Sequence, residues 1–176
     1  MTPTVDPISM AIDHILLLRD LVEKATANCK NKMRDKGDAI RRRAKDLPSM
    51  VYTVGLIPAL TFYMSKIENS KLYTDLYKLL RNRDKKLGEQ LAGNPSSDLC
   101  QEIGGKEAAG YTTLLALAAA ALSEAGVANT DLSSLQNLAA SLKSLREQGK
   151  EHYAARLLVE YLNEVKKLAE AFFAKG

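Results

Sequence analysis

The stretch from Lys106 to Ala125 constrains the fold of this chain more than any other part of its sequence. It is rich in alanine and leucine, and a helix formed there is apolar on nearly every side, so that it presents no polar face to water. We therefore predict a buried helix at residues 106–125. The most apolar run, Leu114–Leu122, has nine residues, whereas a helix that spans a bilayer needs about 20. No transmembrane segment is predicted.

Residue usage elsewhere in the chain also favours helix. Alanine, leucine, lysine, glutamate and arginine dominate the long stretches, β-branched runs are scarce, and the ten glycines and five prolines fall mostly at junctions. The length of 176 residues and the hydrophobic fraction of 46% suit one domain with its own core. We predict an all-α fold, a helical bundle of about six helices with a long N-terminal helix.

The N-terminal helix is expected to run from about residue 7 to 46. Apolar residues recur there at spacings of three and four, which places them on one face of a helix. Gly37 interrupts this pattern and predicts a bend or break. Pro48 is expected to end the helix, because the residue before a proline disfavours the α conformation.

The second helix is expected at residues 48–66, where Gly55 and Pro58 predict a kink or close helix packing. A third begins at Asn69 or Ser70 and runs to about residue 87, with Gly88 or Gly93 as its end. The later helices are expected in this order: a short helix that starts at a capping box of Asp98 and Gln101 and ends at Gly104 and Gly105, then 106–125, then a helix capped by Ser133 and Gln136 up to 147, and last 151–174.

These helices are grouped along the chain into three parts of one domain. Residues 1–92 form an N-terminal part with a basic helix and a Leu-Pro junction. Residues 93–149 form a helical insertion after a turn-rich linker, and residues 150–176 form a C-terminal helix that packs on the N-terminal part.

Residue patterns typical of catalysis or metal binding are missing. His14 and His152 fall on different helices without a ligand at zinc-binding spacing. The sequence at residues 104–106 resembles a phosphate loop, but Glu107 follows instead of serine or threonine and no strand precedes it. Cys29 lies on the apolar face of the first helix, where a small buried residue is the expected role. We predict a protein that is not an enzyme and has no metal, cofactor or small-molecule substrate.

Positive charge is concentrated in one segment. The net charge of the chain is +4, but residues 30–45 carry eight basic and two acidic residues, which leaves the rest of the chain slightly negative. On a straight helix four of these cations fall within about 60° of one another. Such a stripe can follow the phosphates of an extended strand with little sequence preference, or it can be a solvated face that keeps the protein soluble. The candidate RNA-binding residues are Lys30, Lys32, Arg34, Arg41, Arg42, Arg43 and Lys45.

A second basic cluster is a candidate for additional RNA binding or for subunit contact. Its members are Lys78, Arg81, Arg83 and Lys85. Tyr73 and Tyr77 lie nearby and could stack on bases, or they could be half-buried helix residues.

Two segments resemble a known family. Residues 44–56 read AKDLPSMVYTVGL and residues 60–66 read LTFYMSK, while residues 153–171 form an apolar and charged closing helix. The pattern resembles the Cmr small-subunit family, the small subunit of type III-B CRISPR effector complexes. Val54 stands where asparagine is expected, Glu164 stands where tryptophan is expected, and the region 93–149 is longer than in that family. Small subunits of type III-A or type I systems therefore stay as alternatives.

The resemblance implies a function in antiviral defence. Small subunits of this family stack on copies of themselves beside backbone subunits, in a ribonucleoprotein that holds guide and target RNA, and target cutting belongs to the backbone subunit. The basic residues would then contact the sugar–phosphate backbone of target RNA, and changing Arg41, Arg42 and Arg43 to glutamate should abolish RNA binding while leaving helicity intact. The alternative is a helical adaptor whose basic face binds an acidic protein.

Cysteine usage predicts the compartment. Cys29 and Cys100 form no CxxC motif, and residues 1–13 contain no hydrophobic leader. A cytoplasmic location without membrane attachment is expected.

Overall fold

The computed structural model describes residues 5–28, 37–93, 107–128 and 131–173. Within these ranges the chain forms eight α-helices and no strand, which confirms the all-α class, although about six helices were expected. The helices are α1 (Pro7–Asn28), α2 (Asp38–Val54), α3 (Leu56–Ser65), α4 (Ser70–Asn82), α5 (Lys85–Gly93), α6 (Glu107–Glu124), α7 (Leu135–Glu147) and α8 (Glu151–Phe172). No helix among them is long and apolar enough to cross a membrane.

Helix α6 lies at the centre of the bundle. Residues 114–122 are at most 1% exposed, which confirms the burial predicted from their composition. The helix packs against α1, α2, α3, α4 and α8. Its small residues let these neighbours approach closely, as at Gly110, where an added methyl carbon would lie 2.6 Å from the carbonyl oxygen of Ala39. The core of the protein is therefore built around one apolar rod.

The N-terminal stretch forms two helices on either side of residues 29–36, which lie outside the described part of the chain. Gly37 precedes α2 with a φ angle of +93°, a conformation that favours glycine, so the predicted break at this residue is confirmed. The long helix expected over residues 7–46 is replaced by α1 and α2. A side chain at Gly37 would also collide with the buried Phe173 ring, whose Cδ1 atom would lie 2.5 Å from the added carbon.

Pro48 does not end its helix, so that prediction is wrong. It lies inside α2, which continues to Val54. The missing N–H removes one helix hydrogen bond, but Leu47, Pro48 and Val51 are all buried, and their burial compensates. The helix ends at Gly55, which has φ +98° and ψ 163°, a backbone conformation that is essentially restricted to glycine. The helix expected over residues 48–66 is thus divided at Gly55, as the predicted kink anticipated.

The caps of the later helices are partly as expected. Asn69 caps α4, since its Oδ1 accepts a hydrogen bond from the amide of Leu72 at 3.1 Å. The helix ends at Asn82 and not near residue 87, because Arg83 adopts a left-handed conformation with φ +49°. Ser134, one residue after the expected cap, accepts from the amide of Asn137 and starts α7. The short helix expected after Asp98 lies outside the described residues.

A polar network crosses the core beside α6. Nδ1 of the fully buried His14 is hydrogen-bonded to the hydroxyl of Tyr161 at 2.7 Å, and its Nε2 lies 2.9 Å from Oε2 of Glu124. Glu124 also accepts from Arg83 at 2.5 Å, and Arg83 reaches Asp13 at 3.2 Å. Burial raises the pKa of the Tyr161 hydroxyl well above its ordinary value. These contacts join α1, α6 and α8 to the junction between α4 and α5.

The Glu124 carboxylate makes stability depend on pH. Burial alone raises its pKa, but hydrogen bonds from His14 and Arg83 outweigh burial and hold the pKa below the ordinary value of 4.5. A carboxylate with a lowered pKa stabilises the fold above its unfolded pKa, and this stabilisation is lost as pH falls through the folded pKa. Glu124→Gln should therefore be less stable than the unmodified protein at about pH 7, with a gap that narrows below about pH 4.5.

Urea unfolding at about pH 7 and below about pH 4.5 measures the difference in free energy of unfolding between Glu124→Gln and the unmodified protein. Glu89→Gln, at an exposed position on α5, is the control and should stay close to the unmodified protein throughout. A gap for Glu124→Gln that is as large in acid as at neutral pH would contradict the role of the carboxylate.

Candidate nucleic-acid interface

The basic segment predicted to bind RNA is only partly described. Lys30, Lys32 and Arg34 lie outside the described residues. The other four predicted residues, at positions 41–43 and 45, lie on the N-terminal half of α2. Their role in RNA binding stays a prediction, and their surroundings decide how much charge they can offer.

Arg41 and Arg42 are held by carboxylates of this chain. Nη2 of Arg41 lies 2.6 Å from Oδ1 of Asp38, and its Nη1 lies 3.3 Å from Oε1 of Glu170 on α8. Arg42 donates from Nε to Asp38 and makes two further hydrogen bonds, of 2.9 and 2.8 Å, to the two carboxylate oxygens of Glu107 on α6. The hydrogen bond to Asp38 is the main reason why the pKa of Arg41 is raised.

Arg43 is also held by groups of this chain. Its Nη1 donates to the hydroxyl of Tyr111 at 2.7 Å and lies 3.2 Å from Oδ2 of Asp46. Its guanidinium lies over the Tyr111 ring, 4.8 Å from the centroid. The Nε atom is buried and has no hydrogen-bond partner among the described residues.

We call this group the arginine–carboxylate cluster: Asp38, Arg41, Arg42, Arg43, Asp46, Glu107 and Glu170. Its three guanidinium groups face four carboxylates, so the group as a whole carries no excess positive charge. The bridges to Glu107 and Glu170 tie α2 to α6 and α8. The cluster therefore acts as a clamp of α2 on α6 and α8 through bridges whose carboxylates are exposed, while its pairs with Asp38 and Asp46 lie within α2 itself.

Lys45 differs from these arginines. It is exposed and forms no ion pair with any described residue. It borders a groove of about 590 Å³ between α2, α3, α6 and α8, and the exposed Lys166 of α8 lines the same groove. Phe62 and Tyr111 also line it. We call it the lysine–aromatic groove, and it places two available cations beside aromatic rings.

The second basic cluster also consists of arginines that have partners within this chain and lysines that are exposed. Arg83 is paired with Glu124 and Asp13, and Arg81 donates from Nε to the hydroxyl of Ser123 at 3.0 Å. Lys78 and Lys85 are exposed. Their role in RNA or subunit contact also stays a prediction.

The tyrosines beside that cluster do not face solvent. Tyr73 is 0% and Tyr77 3% exposed, and their rings stack on each other with centroids 6.4 Å apart. The hydroxyl of Tyr73 donates to the carbonyl of Leu132 at 2.6 Å. Burial raises the pKa of the Tyr73 hydroxyl. The hypothesis that these rings stack on bases is wrong for this conformation.

Several apolar side chains remain exposed on the described surface. Ile8, Ile12 and Leu16 are each about two-fifths exposed and follow one another at a spacing of four on α1, so they form one stripe. Tyr52 is 84% exposed at the end of α2. Apolar patches of this kind on a folded protein are typical of contacts with other molecules.

A comparison with family models decides the family. Residues 19–172 match the family described as CRISPR-associated protein (Cas_Cmr5). The chain belongs to the Cas_Cmr5 family. This is the small-subunit family of type III-B CRISPR complexes, which confirms the resemblance in the sequence and selects type III-B over the type III-A and type I alternatives. The comparison with curated proteins and the comparison with solved structures each found no match.

Membership of the Cas_Cmr5 family places the chain among subunits of a CRISPR effector complex, alongside other Cas subunits, and the family is generally non-catalytic. In the described part of this Cas_Cmr5 protein, no three His, Cys, Asp or Glu side chains are grouped so as to hold a metal ion.

Most residues of the lysine–aromatic groove were not predicted from the sequence, among them Phe62, Tyr111 and Lys166. Phe62 belongs to the aromatic-rich stretch that carried the resemblance, and that stretch was the available signal for it. Tyr111 and Lys166 lie on helices far from Lys45 in the chain, and their proximity follows only from the packing of α6 and α8.

Proposed function

We propose that this Cas_Cmr5 protein is a non-catalytic small subunit that stacks beside backbone subunits of a cytoplasmic effector complex and contacts target RNA in antiviral defence. Family membership supports the place in the complex. The observation that carries the RNA contact is the pair of exposed lysines, Lys45 and Lys166, on one concave groove. Guide and target RNA pair through their bases, so a surface that binds phosphates without sequence preference suits this subunit.

The contact is centred on lysines because the arginines already have partners. A phosphate that approached Arg41 or Arg42 would have to displace Asp38, Glu107 or Glu170, and the new ion pair would replace an existing one with little gain. Lys45 and Lys166 need no such exchange within the described residues. Their charge is available to a polyanion at once.

The assembly part of the proposal rests on the exposed stripe of Ile8, Ile12 and Leu16. These side chains lie on the outer face of α1, which packs against α5 and α8 on its other side. Covering them removes apolar surface from water. We assign this stripe to contact with a neighbouring subunit of the effector.

Filter binding of single-stranded RNA across a salt series tests the RNA contact. Three to five phosphate contacts give a slope of about −2 to −4 in a plot of log affinity against log salt, since each contact contributes roughly −0.7. Lys45→Gln with Lys166→Gln should weaken binding and make the slope less negative by about 0.7 for each contact that is lost.

The matched control removes two other exposed lysines, Lys24→Gln with Lys150→Gln, and so changes net charge equally. It should keep most of the affinity and the slope. Identical slopes for the two double variants would remove the groove from the RNA contact. Binding of an acidic protein with no retention of RNA at low salt would favour the adaptor alternative.

A further inference from the structure

We propose that the lysine–aromatic groove holds one unpaired nucleobase of single-stranded RNA against the ring of Phe62, while Lys45 and Lys166 bind the flanking phosphates. This inference rests on the proposed function and adds a second kind of contact to it. Phosphate binding is independent of the bases, whereas stacking needs a base that is free of its partner strand.

Phe62 presents an aromatic ring that is held in place and still reachable. It is 40% exposed. Tyr63 and Tyr111 contact it at steep interplanar angles of 61° and 73°, each with its centroid 6.2 Å away, and Tyr63 is fully buried. Two other rings therefore hold the Phe62 ring in place from the protein side. Stacking of a base on it costs the protein little conformational entropy.

An exposed cation also lies over the Phe62 ring. Nζ of Lys66, an exposed residue, lies 5.2 Å from the ring centroid. An exposed cation–π contact is weaker than the stacking of a base on an aromatic side chain. A base that reaches this face of the ring therefore displaces Lys66, which does not itself line the groove.

The groove has the size and polarity for one nucleotide. Its volume of about 590 Å³ lies within the roughly 300–1,000 Å³ of typical small-molecule sites. Lys45 and Ser49 line it from α2 together with Arg43 and Asp46, whose charges are paired with each other, and Lys166 lines it from α8. Cations at two sides of an aromatic wall are the arrangement by which proteins hold single strands without reading their sequence.

A tryptophan in place of Phe62 reports directly on stacking. The chain contains no tryptophan, so F62W supplies the only indole signal. Titration with oligouridylate at low salt should quench its fluorescence by about half or more. Heparin has the charge but not the bases, and duplex RNA keeps its bases paired, so both should bind with little quenching.

The chain offers a closely matched control in Phe172. This side chain is also 40% exposed, and it also carries a cation over its ring, since the guanidinium carbon of Arg19 lies 5.3 Å from the centroid. It does not line the groove. F172W should therefore keep its fluorescence when oligouridylate binds.

Two further variants measure the affinity that stacking supplies. F62L keeps an apolar side chain but removes the ring, and it should weaken oligouridylate binding about tenfold without changing the salt slope. F62Y keeps the ring and should bind like the unmodified protein. Circular dichroism checks that both variants keep their helicity.

The outcomes separate this inference from the proposed function. Retention of RNA with no quenching of F62W, or with equal quenching of F62W and F172W, overturns the stacking site and leaves the phosphate contact standing. An unmodified chain that retains no RNA at low salt overturns the RNA contact itself, and the stacking site with it. Full affinity in F62L also overturns the stacking site.

Discussion

Changing Arg41, Arg42 and Arg43 together to glutamate is expected to lower the free energy of unfolding of the protein by up to about 3–5 kcal/mol. In the unmodified chain three guanidinium groups are paired with four carboxylates. The variant would place seven carboxylates in the same cluster. The ion pair between Arg42 and Glu107 is too exposed to contribute much to the stability of the fold. Asp38 is only 13% exposed and would lose the guanidinium groups of Arg41 and Arg42, and removing the partners of a largely buried charge costs up to about 3–5 kcal/mol.

That loss approaches the total stability only of domains at the low end of the usual range of about 5–15 kcal/mol. Urea unfolding followed by circular dichroism measures it as a transition at a lower urea concentration than in the unmodified protein. The sequence alone predicted intact helicity for this variant. A control with the same charge change at exposed lysines, K24E with K78E and K150E, should stay folded. Full helicity and unchanged stability in the arginine variant would contradict the clamp.

Gly110→Ala is expected to destabilise the protein by about 2 kcal/mol. An added methyl carbon would lie 2.6 Å from the carbonyl oxygen of Ala39 and 2.8 Å from Cγ of Arg43, so α2 and α6 must move apart. Overpacking of this kind costs about 1–3 kcal/mol and sometimes more. Alanine recovers up to about 1 kcal/mol of helix propensity. The steric cost exceeds this gain in helix propensity, because the nearest atom belongs to the backbone of Ala39 and cannot rotate away as a side chain could.

The control for this variant is Gly93→Ala. Gly93 is the last residue of α5, and no described residue is within 4 Å of the position of an added carbon there. Its stability should stay the same or rise by a few tenths of a kcal/mol, since only helix propensity acts there. Chemical unfolding of both variants gives the comparison. Equal effects at the two positions would show that the α2–α6 approach is looser than the distances indicate.

Sequence patterns predicted those parts of the fold that depend on local chemistry. The composition of residues 106–125 predicted a buried helix, and Asn69 and Gly37 were recognised as residues that begin or interrupt helices. The errors arose where distant residues decide the conformation. Pro48 stays in a helix because its neighbours are buried by other helices, and Arg83 ends α4 in a left-handed conformation that its pairing with Asp13 and Glu124 helps to hold.

In the candidate site, too, residues that are distant along the chain decide the electrostatics. The sequence located the basic segment correctly, but the partner of Arg42, Glu107, lies 65 positions away along the chain. A count of charges in one segment therefore overstates the positive surface. Lys166, which contributes to the groove, is separated from Lys45 by most of the chain. Only the packing of α2 against α8 brings these two lysines to one groove.

The central position of α6 has a consequence for how this protein is made. Helices α1 to α4 each pack on α6, yet a ribosome translates all four before it reaches residue 107. The inner faces of these four helices cannot pack on α6 until α6 leaves the exit tunnel of the ribosome. We expect the nascent chain to remain open for most of its synthesis, with apolar surface available to chaperones, and to fold cooperatively only late in translation.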